Sequence, residues 1–188
     1  MEILEIKDLE SLAKKRVPKM FFDYVNSGSW TETTYNENVS DFQKIKLRQR
    51  VAIDMSNRTL ETKMINQPVS MPVAIAPTGL TGMQRADGEI LAAQAAEEFG
   101  IPYTLSTMSV CSIEAVAEKT KKPFWFQLYV MKDKKFMERL IDRAKEAKCS
   151  ALVLTLDLQL LGQRHKDLRN GLSTPPKLIP KHIYQVLT

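Results

Sequence analysis

The stretch FWFQLYV, residues 124–130, decides how this sequence is interpreted. Six of its seven side chains are large and apolar or aromatic, and a glutamine stands in the middle. Because side chains alternate between the two faces of a β-strand, Trp125, Gln127 and Tyr129 share one face, while the phenylalanines and Leu128 share the other. The first face becomes polar toward its end, and the second is purely apolar. This asymmetry predicts a strand that packs on one side and contributes to a site on the other.

Around this stretch, strand-like and helix-like segments alternate along the chain. Predicted strands start near residues 72, 102, 124 and 151, and predicted helices cover residues 88–99, 112–119 and 133–148. Strands that are continuously apolar and alternate with helices indicate a parallel sheet covered by helices, an α/β fold. The spacing of the strands suits the βα units of either a barrel or a doubly wound sheet.

The first third of the chain does not show this alternation of strands and helices. Residues 8–27 predict two helices, with Asp8 capping the first and Pro18 in the first turn of the second. Residues 29–66 are polar and irregular, with short strands predicted near LRQRVAIDM and LETKMI. We therefore predict two parts, a helical and irregular lead-in over residues 1–66 and a βα region over residues 67–188.

Composition narrows the class of protein. The chain has 188 residues, of which 44% are hydrophobic and 26% charged, as is normal for a soluble globular domain. The two cysteines, Cys111 and Cys149, form no CxxC motif, and the N-terminus lacks a signal-peptide pattern, so we expect a reducing, cytoplasmic setting. The net charge of +5 is spread over mixed-sign helical segments such as residues 132–148, which argues against a nucleic-acid partner. No metal site is predicted.

The four predicted strands share one property, a polar carboxyl-terminal end. In βα barrels the loops at this end converge on the active site. A strand-end serine or threonine also commonly caps the following helix, so each residue alone could serve only that purpose. The residues concerned are Ala76-Pro77-Thr78-Gly79, Ser106-Thr107, Gln127 and Tyr129, and Thr155 and Asp157.

Several stretches carry a family likeness in the order FFDYVNSG, LRQR–VAIDMSNR, MPVAIAPTG, TLSTMSVCSIEAVA, FWFQLYV and LTLD–LGQRHKD. With them the chain resembles the FMN-dependent 2-hydroxy-acid dehydrogenases and oxidases, which include glycolate oxidase, lactate oxidase, mandelate dehydrogenase and bacterial L-lactate dehydrogenase. STMSVCSIE is most similar to the bacterial lactate dehydrogenase branch. The resemblance implies a flavin-dependent (β/α)8 TIM barrel, of which this chain would hold about the first four βα units behind an N-terminal helical segment.

The resemblance also implies which residues bind FMN. A flavin ring presents alternating carbonyl and N–H groups along its polar edge, and amide or hydroxyl side chains can match either kind. The backbone at Ala76, Pro77 and Thr78 would lie against the ring. The side chains at the polar edge would be those of Ser106, Gln127 and Thr155.

Substrate contacts are implied for Tyr24, Tyr129 and Arg164. The two phenols would contact the substrate carboxylate and hydroxyl, and Tyr129 would also stabilise developing charge on the substrate oxygen as the catalytic residue. A guanidinium holds a carboxylate in a fixed orientation, which suits Arg164. From the pattern alone, a core aromatic is the better interpretation of Tyr24, and Arg164 could simply belong to a solvated basic loop. His165 is read as a loop histidine, and His182 has no assigned role.

The activity implied is oxidation of an (S)-2-hydroxy acid, preferably L-lactate, to the 2-oxo acid. The resemblance further implies a homotetramer and allows peripheral membrane association, and it leaves the electron acceptor open. In the family, the second half of the barrel supplies a lysine, the proton-accepting histidine, a second arginine and the phosphate site, and none has a counterpart here. We therefore expect the N-terminal portion of an enzyme, inactive alone. The alternative is a non-catalytic, truncated half barrel.

Overall fold

The structure is a computed structural model that describes residues 2–172 and residue 180. The chain divides into two compact units, Met1–Ile53 with Leu160–Thr188, and Asp54–Gln159. This division falls before the predicted boundary at residues 66 and 67. The reason is an antiparallel hairpin of β1 (Thr62–Met64) and β2 (Gln67–Val69), which spans that boundary and belongs to the second unit. His182 lies outside the described residues.

The first unit is helical in its described part. Asp8 occupies the first turn of its first helix rather than the capping position, so the predicted cap was misplaced. The Asp8 carboxylate accepts the N–H groups of Leu4 and Glu5 at 2.9 and 3.1 Å, and Glu5 occupies the capping position, three residues before the predicted cap. The helices of this unit are α1 (Ile6–Arg16), α2 (Lys19–Val25), α3 (Thr33–Ser40), a 3₁₀ turn (Asp41–Lys44) and α8 (His165–Asn170).

Three features differ from the sequence interpretation. Residues 29–66 were expected to be irregular, but α3 lies within them; its sequence, TTYNENVS, has too few apolar residues to show a helical period. Residues 47–55 form no strand. A solvated loop was the alternative interpretation of residues 162–170, yet they contain α8, in which Asp167 and Asn170 are buried.

The second unit contains a parallel sheet with the strand order β3 (Thr104–Leu105), β4 (Trp125–Tyr129) and β5 (Ala151–Thr155). Its helices are α4 (Thr81–Gln84), α5 (Gly88–Phe99), α6 (Ile113–Lys119) and α7 (Lys134–Glu146). The prediction of parallel strands alternating with helices is confirmed from α5 to β5. The four-residue α4 was not predicted.

The segment VSMPVAIAP does not form the buried strand that was predicted. Ile75 makes one isolated parallel bridge to Tyr103, and its side chain is 39% exposed. The Ile75 N–H donates to the Pro102 carbonyl at 2.8 Å, and the Ile75 carbonyl accepts from Thr104 at 3.1 Å. Pro72 and Pro77 lack an N–H group and therefore confine the ladder to the residues between them.

The core of the second unit lies between the sheet and its helices. Phe126 and Leu128 of β4, with Phe124 just before it, pack there against residues of α5, α6 and α7 that include Ala93, Ala96, Val116, Leu140 and Ala144. Phe126 is 1% exposed, and burial of such a side chain stabilises a fold by about 1.5–3 kcal/mol. The prediction that this face of β4 packs under helices is confirmed. The opposite face is thereby directed away from the helical layer.

Candidate functional site

A buried hydrogen-bond network centred on Gln127 occupies the polar face of the sheet. The Gln127 side chain is 1% exposed. Its Oε1 accepts from the Thr107 backbone N–H at 3.2 Å and from Ser106 Oγ at 3.3 Å. Its Nε2 donates to Thr155 Oγ1 at 2.8 Å. One amide therefore joins the carboxyl ends of β3, β4 and β5.

The orientation of this amide follows from its neighbours. A backbone N–H can only donate, so the Thr107 amide requires the carbonyl oxygen of Gln127 on its side. This turns the Gln127 NH₂ group toward β5, where the Thr155 hydroxyl accepts one of its two N–H bonds. Among the described residues, Thr155 is the one partner of Gln127 Nε2, and this bond fixes the direction of the NH₂ group.

Thr107 is a member of this network that the sequence interpretation assigned no role. Its hydroxyl donates to the Gln127 backbone carbonyl at 2.5 Å and accepts from the Tyr129 backbone N–H at 3.4 Å. The β3 ladder ends at Leu105, so this side chain replaces backbone pairing beyond the strand end. The signal was present in the sequence as a polar residue at a strand end, but only the register shows which backbone groups it reaches.

Tyr129 and Trp125 lie at opposite ends of the same face of β4. Trp125 is buried, and its indole N–H donates to Gln67 of the hairpin at 3.4 Å. Tyr129 is partly exposed and is the register partner of Thr155. The polar face is therefore closed at its amino-terminal end and accessible at its carboxyl-terminal end.

Ala76, Pro77 and Thr78 follow the single bridge at Ile75 and are exposed. The Thr78 hydroxyl donates to the Ala76 carbonyl at 3.4 Å, and the Thr78 carbonyl accepts from the Thr81 hydroxyl at 3.1 Å. These bonds hold the segment in a turn that leads into α4. An exposed backbone of small residues at this position can approach a flat ring closely.

The first unit brings Tyr24 and Arg164 together. The guanidinium carbon of Arg164 lies 4.8 Å from the centre of the Tyr24 ring, a cation–π arrangement. Arg164 Nη2 donates to the Tyr24 backbone carbonyl and, at 3.2 Å, to Ser27 Oγ. Its Nε lies 2.6 Å from Asp167 Oδ2. Neither residue is a free surface group, so the solvated-loop reading of Arg164 is wrong.

Electrostatics explain why this arginine is held so firmly. Burial raises the pKa of Asp167, and the nearby Asp23 carboxylate raises it further, while Arg164 opposes both. The guanidinium therefore opposes the rise of the Asp167 pKa, whose net direction is upward. Removing Arg164 would take away the cation that pairs with this carboxyl.

The predicted site residues thus form two groups. Ser106, Gln127 and Thr155 are joined directly in the second unit, with Tyr129 on the same face, and Tyr24 and Arg164 are joined in the first unit. His165, the first residue of α8, packs edge-on against Trp30 with ring centres 5.7 Å apart. Among residues 2–172 and 180, no cluster of three or more acidic, histidine or cysteine side chains could hold a metal ion. The same residues contain no helix long and apolar enough to cross a membrane.

The polar groups at the sheet edge fit a flavin. A flavin edge needs hydrogen-bond donors and acceptors side by side, and a serine hydroxyl, a glutamine amide and a threonine hydroxyl stand within hydrogen-bonding distance of one another here. The hydrogen bonds with Ser106, Thr107 and Thr155 fix the orientation of the amide. Such preorganisation is what a tightly bound cofactor requires.

Comparison with known proteins agrees with this fit. Residues 13–188 match the family model described as FMN-dependent dehydrogenase. An L-lactate dehydrogenase from Acinetobacter baylyi is 46% identical over 187 residues, which cover 100% of this chain and 49% of the relative. The chain therefore spans about half the length of the curated relative that it matches.

Solved structures give the same result. A monotopic membrane protein, (S)-mandelate dehydrogenase, superposes with a TM-score of 0.90 at 33% identity, covering 98% of this chain and 49% of that one. A mandelate oxidase superposes with a TM-score of 0.83 at 32% identity, covering 93% and 50%. The cofactor that these matches indicate is FMN. On this ground the chain belongs to the FMN-dependent dehydrogenase family.

Proposed function

We propose that this chain supplies the N-terminal half of an enzyme that oxidises an (S)-2-hydroxy acid to the 2-oxo acid with FMN, and that the acid is L-lactate. The single observation that carries the proposal is the Gln127 network, because it places three predicted flavin contacts in one hydrogen-bonded group. The likeness to an L-lactate dehydrogenase favours lactate over other 2-hydroxy acids.

The fold in this proposal is the first four βα units of a (β/α)8 barrel. Three parallel neighbours, β3, β4 and β5, are extended by the bridge from Ile75 to Tyr103, which adds a fourth extended segment in chain order. Each segment is followed by a helix or a helical turn, except at β5, where the chain passes to the other unit. The helical lead-in over residues 1–66 and the barrel portion over 67–188 remain our proposed domains of the full enzyme.

The cofactor contacts divide between backbone and side chains. Ser106, Gln127 and Thr155 would bind the polar edge of the ring, and the exposed backbone from Ala76 through Thr78 would lie against its face. When bound, FMN accepts the two electrons that leave the substrate. In this proposal the residues of this chain would hold the ring in place at the edge of the sheet that the Gln127 network occupies.

The substrate contacts are Tyr24, Arg164 and Tyr129. Arg164 is fixed through Nη2 and Nε, so its Nη1 group, to which no described residue is hydrogen-bonded, can bind a carboxylate oxygen. A guanidinium anchored on one side orients its ligand better than a mobile one. The Tyr129 phenol donates a hydrogen bond to the substrate oxygen on which charge develops.

A second candidate is a half barrel without catalytic activity of its own. Leu152 and Leu154 of β5 favour this candidate, because they are 47% and 50% exposed. They lie on the same face of the sheet as Phe126 and Leu128, their register partners in β4. An apolar sheet face of this kind needs a cover to be stable in water.

For the full enzyme of the first proposal, we also propose a homotetramer, peripheral membrane association and a cytoplasmic location.

The test uses the purified chain and a chimera that joins it to the complementary half of the Acinetobacter baylyi L-lactate dehydrogenase. FMN binding is followed by quenching of flavin fluorescence, and the flavin absorbance near 450 nm is then recorded anaerobically with L-lactate or D-lactate. We expect the chimera to be bleached by L-lactate only and the chain alone to remain unreacted. A chimera that binds FMN but is not bleached by L-lactate contradicts the proposed activity. Rapid bleaching of the chain alone contradicts the expectation that it needs a second half.

A further inference from the structure

Glu89 is a buried acid that the proposed function does not use. Its side chain is fully buried, at 0% exposure, in the first turn of α5. Oε1 accepts two backbone N–H groups, from Gly82 at 3.0 Å and from Val110 at 2.9 Å. These donors are 28 residues apart in sequence, since one lies in α4 and the other in the loop between β3 and α6. The carboxylate therefore links two turns that the backbone brings near each other.

Each turn follows, in the chain, a segment that is predicted to line the FMN site; we call these two segments the walls of the site. The first turn, at Gly82, follows the exposed segment Ala76–Thr78 by four residues. The second, at Val110, follows Ser106 by the same number. A backbone bond from the Leu80 N–H to the Met108 carbonyl, at 2.9 Å, is the only other hydrogen bond that joins them in the described chain.

The junction is tightly packed. A Cβ atom added at Gly82 would stand 2.7 Å from Val110 Cβ and 2.9 Å from Glu89 Oε2. Cβ atoms do not approach other heavy atoms this closely, so glycine is needed for the approach rather than for a special backbone angle. The two turns are therefore as close as their backbones allow, with the carboxylate between them.

The charge of Glu89 is stabilised locally. Burial raises the pKa of this carboxyl, but the N–H groups of Val110 and Gly82, the N–H of Glu89 itself and the Cys111 thiol together outweigh burial, so the net direction is downward. The positive end of the α5 dipole acts in the same direction. The Cys111 thiol lies beside the carboxylate, and its own pKa is raised, by burial first and by Glu89 second. Oε2 is buried and accepts no hydrogen bond of ordinary geometry among the described residues.

A carboxylate is a costly way to fill a core. An apolar side chain of similar size would fill this space without the loss of hydration that a charge suffers. What an apolar side chain could not do is accept two backbone N–H groups from different turns, which would otherwise lose this shared partner. The side chain thus has a specific task at this position.

We propose that Glu89 is a positioning residue that fastens the turn after Ala76–Thr78 to the turn after Ser106 and thereby fixes the spacing of two walls of the FMN site. The inference rests on the proposed function for the identity of the site, but the fastening itself is a property of the chain alone. Glu89 touches neither cofactor nor substrate and acts through the two turns.

The experiment measures amide hydrogen exchange by NMR in the chain and its variants. Glu89→Ala removes both acceptors, and we expect the exchange rates of the Gly82 and Val110 amides to rise about ten- to a hundredfold, the range that corresponds to a lost bond to a charged acceptor. Glu89→Gln retains one carbonyl oxygen and is expected to restore most of the protection. Gly82→Ala keeps the carboxylate but pushes the turns apart, and it should raise the exchange of the same two amides.

The second measurement is FMN affinity, by quenching of flavin fluorescence in the chain and in the chimera. Glu89→Ala should weaken binding about tenfold, and Glu89→Gln should bring it back. A role in overall stability would instead raise exchange throughout the unit, including the amides of Leu140 and Ala144 in α7, and that result overturns the proposal. Unchanged exchange at Gly82 and Val110 overturns it as well, and so does unchanged FMN affinity when both amides are loosened. If the wild-type proteins bind no FMN, the proposed function fails, and the exchange data alone decide whether Glu89 fastens the turns.

Discussion

The two faces of β4 are built on opposite principles. Phe124, Phe126 and Leu128 interact with α5, α6 and α7 by apolar packing. A substitution that changes the shape of one of these side chains therefore acts mainly by reducing buried apolar area. Trp125 and Gln127 on the other face are equally buried, yet each is held by hydrogen bonds to a specific partner. A core of apolar residues tolerates exchange among similar side chains, whereas a buried amide tolerates few. One face therefore stabilises the fold, and the other fixes directions at the candidate site.

The largest effect on stability is expected for a substitution on the face of β4 that packs against the helices. Phe126→Ala should lower the free energy of unfolding by about 3–5 kcal/mol, because it leaves a cavity beneath the helices. Urea titration followed by tryptophan fluorescence measures the change, and Phe126→Leu is the matched control, with a loss of less than half as much. Equal losses in the two variants would contradict a packing role.

The next effect is expected at the amide. Gln127→Leu keeps the size of the side chain but leaves the Thr107 N–H and Thr155 hydroxyl without their partner, at a cost of about 1–3 kcal/mol. It should also abolish FMN binding in the chimera. The control is Gln94→Leu, at an exposed amide that donates to the Lys119 carbonyl at 3.0 Å. It should change the free energy of unfolding and the FMN affinity by no more than a few tenths of the change that Gln127→Leu causes. If the Gln127→Leu chimera binds FMN as tightly as the wild-type chimera, the Gln127 amide does not contribute to FMN binding.

A smaller effect is expected at Thr107. Thr107→Val removes the hydroxyl that bridges the Gln127 carbonyl and the Tyr129 N–H, and it should cost about 0.5–1.5 kcal/mol. The exchange rate of the Tyr129 amide should rise with it. Thr107→Ser retains the hydroxyl and should keep the Tyr129 amide protected. If serine and valine behave alike, the methyl group rather than the hydroxyl matters here.

The smallest effect is expected on the outer surface of the helical layer. Arg143 of α7 and Glu114 of α6 form a two-pronged ion pair, with both bonds at 2.7 Å, and both side chains are more than 40% exposed. The Arg143 guanidinium lowers the pKa of Glu114 to about 2. A lowered folded-state pKa contributes stability above the unfolded value, near 4.5, and loses it as pH falls toward 2.

Exposure to water limits this ion pair to about 0.2–1 kcal/mol. Glu114→Gln should therefore lower the urea midpoint slightly at pH 7 and leave it equal to wild type near pH 2. Added salt should reduce the difference at pH 7. A pH-independent difference would mean that the variant acts through helix α6 rather than through charge.

The sequence interpretation succeeded where patterns are regular. The 88–99 helix, the 133–148 helix and the strand at residues 124–130 were predictable because long apolar periods and good caps agree with the fold. It failed at VSMPVAIAP because apolar character was taken as burial, while the prolines allow only one bridge. It missed α3 and α8 because their sequences are polar, and helices of this kind depend on tertiary contacts rather than on an apolar stripe.

Sequence alone determined the alternation of strands and helices, the two faces of β4 and the likeness to flavin enzymes, because periodicity and residue type are local properties. Only the tertiary structure decided that Gln127 spans three strand ends, that Arg164 is tied to Tyr24 and that Glu89 joins two turns. These pairings connect residues up to 140 positions apart. They depend on register and on the close approach of backbones, which no local pattern encodes.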